Sequence, residues 1–104
     1  MNNTVYAAID DLVKGNDVVL FMKGSADIPL CGFSGRVVAI LNHLNIKFVD
    51  VNVLESAEMR QGIKEYTDWP TIPQLYIKGT FIGGCDIVKE MFENGELQKL
   101  IKGL

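Results

Sequence analysis

The chain has 104 residues, 48% of them hydrophobic and 22% charged, a balance that fits one folded domain, 1–104, and excludes a disordered tail. Ten basic against thirteen acidic residues leave a net charge of −3. With no run of Lys or Arg, that argues against a nucleic-acid module. The apolar run Val18–Met22 is far too short to span a membrane, and Met1-Asn2-Asn3-Thr4 lacks the charged and apolar regions of a signal peptide. The expectation is a cytoplasmic protein with no membrane or nucleic-acid partner, an organelle matrix being equally compatible.

Val5, Ile9, Leu12 and Val13 recur at helical spacing, so residues 4–14 read as an amphipathic helix ended by Gly15-Asn16. Val18 to Met22 reads as a strand buried on both faces, hence central in its sheet. Lys23 to Leu30 has loop composition, because Gly, Ser, Asp and Pro interrupt any period. A helix follows from Gly32 to Leu44, with Val37, Val38 and Leu41 on its inner face. His43, near its end, is the sole histidine and reads as a surface cation suited to the helix dipole. Lys47 to Val53 alternates as a strand. Ser56 is a candidate N-cap for a third helix whose Met59, Ile63 and Tyr66 face inward.

Two prolines keep Trp69–Pro73 out of helix interior, and Trp69 reads as packing. Gln74–Ile77 and Thr80–Ile82 form a hairpin around Lys78-Gly79, closed by Gly83-Gly84. Ile87, Val88, Met91 and Phe92 mark a helix. Leu97, Leu100 and Ile101 mark a last one after Asn94-Gly95. The order is αβαβαββαα. A right-handed crossover makes the first two strands parallel, and the hairpin adds two antiparallel ones. The fold class is α/β: a mixed four-stranded sheet flanked by helices on both faces.

Chemistry centres on the two cysteines. Cys31 and Cys85 are too few for a disulfide scaffold or an intramolecular zinc site. A bound metal would need ligands from a second chain or a small molecule. Cys31 stands where a loop enters a helix, and unpaired amides there favour a thiolate. Lys23, at the end of the first strand, can add positive charge. Position alone leaves a reactive thiol and a packed small hydrophobe equally open.

Cys31-Gly32-Phe33-Ser34 resembles the signature of the CGFS-type monothiol glutaredoxins. Phe21-Met22-Lys23-Gly24, Trp69-Pro70-Thr71-Ile72-Pro73-Gln74-Leu75 and Gly83-Gly84-Cys85-Asp86 match the same family in the same order, so the resemblance covers nearly the whole chain. It implies the thioredoxin-like fold and glutathione as external thiol. Ser34 cannot close a disulfide on Cys31 as the second cysteine of a Cys-x-x-Cys motif does. Turnover through Cys31 must use an external thiol or the distant Cys85.

The resemblance places Lys23 and Arg60 at the glycyl end of glutathione, although Arg60 by itself reads as a solvated helix cation. It sets the Ile72 backbone against the cysteinyl part, with Pro73 cis. Gly84, Cys85 and Asp86 open a helix toward the γ-glutamyl carboxylate, and Asp86 accepts from the ammonium. For Cys85 it supports a backbone role over a disulfide with Cys31. It further implies a [2Fe–2S] cluster shared across a homodimer through Cys31 and one glutathione of each protomer, with a monomer in the apo state. Phe33 and the Gly24–Leu30 loop would shape the docking surface. Recipients would be apo iron–sulfur proteins, and a BolA-like protein is a further partner. The alternative is an enzyme that removes glutathione from protein mixed disulfides through Cys31.

Overall fold

The computed structural model describes residues 3–104. Met1 and Asn2, part of the segment read above for a leader, lie outside the described residues. Among those residues no helix is long and apolar enough to cross a membrane. In chain order the elements are α1 (Asn3–Gly15), β1 (Val18–Met22), α2 (Gly32–His43), β2 (Val49–Asn52), a 3-10 turn (Val53–Glu55), α3 (Ala57–Thr67), β3 (Gln74–Ile77), β4 (Thr80–Gly83), α4 (Cys85–Glu93) and α5 (Glu96–Ile101). The expected order holds throughout.

The sheet runs β2-β1-β3-β4, with β1 parallel to β2 and antiparallel to β3, and β3 antiparallel to β4. All five residues of β1 are buried, as its unbroken apolar run implies. Strand parity divides the core. Val18, Leu20 and Met22 of β1 join Leu75 and Ile77 of β3 under the inner faces of α2, α4 and α5. Val19 and Phe21 join Tyr76 on the other face, against Ile9 and Val13 of α1 and Ile63 of α3. The helices therefore cover both faces of the sheet.

The second strand and the end of α2 differ from the sequence reading. The second strand is shorter than Lys47–Val53. Its pairing with β1 begins at Val19↔Val49 and ends at Met22↔Asn52. The same register would set Phe48 beside Val18, the first residue of β1, and Lys47 beside Asp17, where the chain has already left the strand, so the ladder frays before it reaches Lys47. At the other end the Asn52 side chain accepts from the Leu54 amide at 3.0 Å and turns Val53 into the 3-10 turn. The helix α2 ends at His43, one residue before Leu44, which caps it.

The stretch after β1 is a loop, as its composition implies, and hydrogen bonds close it on itself. Leu30 N–H returns to Lys23 O at 2.9 Å, and Ser25 N–H donates to Ile28 O at 3.1 Å. Two side chains of β2 tie the loop down: Asn52 Oδ1 accepts from Gly24 N–H at 3.0 Å and Asp50 Oδ2 from Ala26 N–H at 2.7 Å. Gly24 has φ +89°, and a Cβ there would lie 2.5 Å from Ile28 O, so only glycine closes this reversal without strain. The loop and the start of α2 thereby hold Ile28, Leu30 and Phe33 in solvent, each at least 60% exposed. All three flank Cys31.

Candidate functional site

Cys31 is the N-cap of α2, extended at φ −148°, ψ 135°. Its carbonyl accepts the first helical hydrogen bond, from Gly35 N–H at 2.9 Å. The sulfur makes no cap bond of ordinary geometry. Nevertheless the Ser34 amide faces it and is the largest cause holding the thiol below its usual 9.0. Partial burial opposes this, and the Phe33 amide, the Ser34 hydroxyl and the Lys23 charge assist in that order. A contact too loose to count as a bond to a neutral, soft thiol still acts on the anion, because the amides carry the positive end of the helix. Ser34 itself is fully buried, and its Oγ accepts from Lys23 N–H at 3.1 Å. That bond fixes the end of β1 against the first turn of α2, and with it Lys23 beside Cys31.

The thiol stands in a cleft of about 490 Å³. One wall is the segment Trp69–Pro73, whose Ile72–Pro73 bond is cis. A second wall is the start of α4: Gly84, Cys85 and Asp86 line the cleft, and Gly84 caps the helix with no side-chain bond to its amides. The first amides of α4 are therefore free to meet an anion. The two walls approach closely, since a Cβ on Gly84 would come within 3.3 Å of Pro73 O and 3.7 Å of Trp69 Nε1. Two cations also line the cleft, Lys23 just after β1 and Lys64 from α3.

Of the residues singled out from sequence, Lys23, Cys31, Ile72, Cys85 and Asp86 meet in this cleft. Arg60 does not. It is exposed and lines a separate shallow hollow with Leu54, Ala57 and Gln61. Lys64, one turn later and half-buried, lines both. The spacing i, i+4 on one helix face carried that signal. Trp69 combines packing with a place in the wall: its ring lies 5.7 Å from Phe81 at 36% exposure. His43 is exposed and meets the Phe92 ring edge-on at 5.6 Å.

The two cysteines are both free and chemically unlike. Burial pushes the Cys85 thiol up, against which Arg36 acts as a weaker opposing charge. In the neutral range Cys31 is thus the better source of thiolate. The rate of iodoacetamide alkylation at Cys31, followed by mass spectrometry, should reach half its plateau below pH 9.0. Below that midpoint the thiol is protonated and slow; above it the thiolate dominates. Lys23→Gln should move the midpoint up only slightly, because its charge is the smallest of these influences. Cys85 should react appreciably only in denaturant. A midpoint at or above 9.0 for Cys31 would remove the basis for a helix-activated thiol.

Comparison with known proteins gives one answer. The glutaredoxin family model matches residues 18–82. The probable monothiol glutaredoxin 2 of Rickettsia typhi is 55% identical over 102 residues, covering 98% of this chain and 92% of that protein. The solution structure of reduced, apo poplar GrxS14 is 54% identical with a TM-score of 0.82, over 93% of this chain and 89% of that one. The holo form of glutaredoxin C1 from a poplar hybrid is 26% identical with a TM-score of 0.86, over 97% and 98%.

Proposed function

Because the chain belongs to the glutaredoxin family, in its monothiol class, we propose that it binds glutathione in the Cys31 cleft and carries a [2Fe–2S] cluster, held between two protomers, to recipient proteins. The observation that carries this reading is a partly exposed thiol, its pKa lowered by the amides of a helix start, in the lining of a cleft charged for a zwitterionic peptide. Lys23 and Lys64 suit one carboxylate of glutathione. The first amides of α4 suit the other, with Asp86 placed for the ammonium.

The donor set fits the cargo. A [2Fe–2S] cluster takes four thiolates, and among the described residues no group of three or more His, Cys, Asp or Glu could hold a metal by itself. One Cys31 and one glutathione from each of two protomers make four. Two of those ligands would be held without a covalent bond to the protein, which favours release.

Thiol exchange is the second reading, favoured by the lowered Cys31 pKa. There the Cys31 thiolate attacks the glutathionyl sulfur of a mixed disulfide, and the protein thiolate leaves. A second glutathione thiolate then attacks the glutathionyl sulfur now on Cys31, frees the Cys31 thiolate and yields glutathione disulfide.

Anaerobic reconstitution with iron, sulfide and glutathione, followed by sizing with visible detection, separates the two. The carrier gives a coloured dimer that does not form without glutathione. A colourless monomer in both conditions rejects the carrier and leaves exchange. Lys64→Ala should lower the coloured yield several-fold, a loss on the order of 1 kcal/mol of glutathione binding per lost charge-assisted contact. Arg60→Ala should lower it less, because Arg60 lies outside the cleft. The reverse ranking would assign the carboxylate to Arg60.

A further inference from the structure

We infer that Gln74 is a positioning residue for the cleft: its buried amide holds the Trp69–Ile72 wall in the shape against which the ligand is bound. The inference rests on the glutathione site proposed above. Gln74 opens β3 and is wholly buried. A buried amide is costly unless all its polar atoms are paired. Here Nε2 donates to Trp69 O and to Thr71 O, both at 3.1 Å. Carbonyls can only accept, so the nitrogen must face them and Oε1 is left for a donor. That donor is the Tyr76 hydroxyl, at a longer 3.4 Å. Tyr76 is 2% exposed, and burial pushes its pKa upward, so the hydroxyl keeps its proton.

The need for such a brace follows from the sequence. Trp69 to Pro73 contains two prolines and joins no helix or strand. Its inward carbonyls have no ladder to enter, and they would pull the segment toward water. Gln74 gives two of them a common donor from the rigid end of β3. The residues so fixed, Trp69 and Thr71, line the cleft directly, as does Ile72 next in the chain. Gln74 is absent from that lining and acts only through the wall.

The test measures binding of S-methylglutathione by calorimetry, which avoids thiol chemistry, and acrylamide quenching of Trp69, the sole tryptophan. Gln74→Met keeps the volume and deletes both donors. Expected are a dissociation constant raised roughly tenfold, as two hydrogen bonds to the wall are lost, and stronger quenching of Trp69 in ligand-free protein. Tyr76→Phe leaves both wall bonds in place and should weaken binding less than about threefold, whatever it does to the melting temperature. Should methionine unfold the chain, Gln74→Glu keeps the volume and the acceptor but can donate at most one bond, and the same readouts decide. A Gln74 variant that is folded, binds within about twofold of wild type and shows unchanged quenching overturns the inference. So does affinity that merely tracks melting temperature across Gln74→Met and Tyr76→Phe. If the wild type does not bind S-methylglutathione, it is the glutathione reading that fails. Quenching then decides Gln74 alone: increased supports the brace, unchanged rejects it.

Discussion

Cys31→Ser should eliminate both proposed activities while leaving the fold intact. Glutathione-dependent exchange should fall by about three orders of magnitude or more, because the thiolate is the nucleophile and a serine hydroxyl is not ionised near neutrality. Reconstitution should give a colourless monomer. The variant is informative because it does not harm the site otherwise. Cys31 occupies the N-cap of α2 and makes no cap bond there. Serine is among the best N-cap residues, its oxygen accepting from the first-turn amides. Those amides, chiefly that of Ser34, already face the sulfur. Cys31→Ser should therefore melt at or slightly above the wild-type temperature. A coloured dimer retained by this variant would move the protein's ligand thiol to Cys85. Residual exchange at wild-type rate would do the same for the nucleophile.

Much of the fold was legible because apolar spacing alone decides it. The five-residue run of β1 has one reading, and its central place follows from burial on both faces. The inward stripes of α2 and α3 likewise land in the core at Val37, Leu41 and Ile63. Legibility ended where side chains bind backbone. Nothing periodic marks the Gly24–Leu30 reversal, since its order comes from Asn52 and Asp50, more than twenty residues away in sequence. Asn52 also cut β2 short by starting the 3-10 turn. The site behaved similarly. Cys31 and Asp86 are announced by the helix starts they occupy. That Lys64 lines the cleft and Arg60 does not is set by how α3 docks, which no spacing reveals. Gln74 had no signal beyond its place in the Trp69–Leu75 segment. A glutamine in a strand reads as solvent-facing until its partners are seen.

Ser34→Cys should convert a one-thiol site into a two-thiol one, at a small cost in stability. Ser34 Oγ is buried, accepts from Lys23 N–H at 3.1 Å and contributes to holding the Cys31 pKa down. A thiol is a weak acceptor, so roughly 1 kcal/mol is lost as Lys23 N–H goes under-paired. Cys31 caps α2 and position 34 lies three residues on in its first turn, the i, i+3 spacing that brings two side chains together. With glutathione disulfide, the wild-type Cys31 thiolate forms a mixed disulfide with one glutathione and expels the other as its thiolate. Cys85 lines the same cleft, but burial raises its pKa and keeps it mainly as the neutral thiol, so it should continue only slowly. In Ser34→Cys the introduced thiolate attacks the Cys31 sulfur, closes a disulfide between positions 31 and 34 and expels the second glutathione thiolate. An intramolecular thiol outcompetes millimolar external thiol by roughly ten- to a thousandfold. After brief treatment with glutathione disulfide, intact mass should show the wild type carrying a single glutathione on Cys31. The variant should carry none, and alkylation under denaturing conditions should find both the Cys31 thiol and the introduced one consumed. A variant that holds glutathione as stably as the wild type would place position 34 out of reach of the Cys31 sulfur, and with it the hydroxyl's share in lowering that pKa.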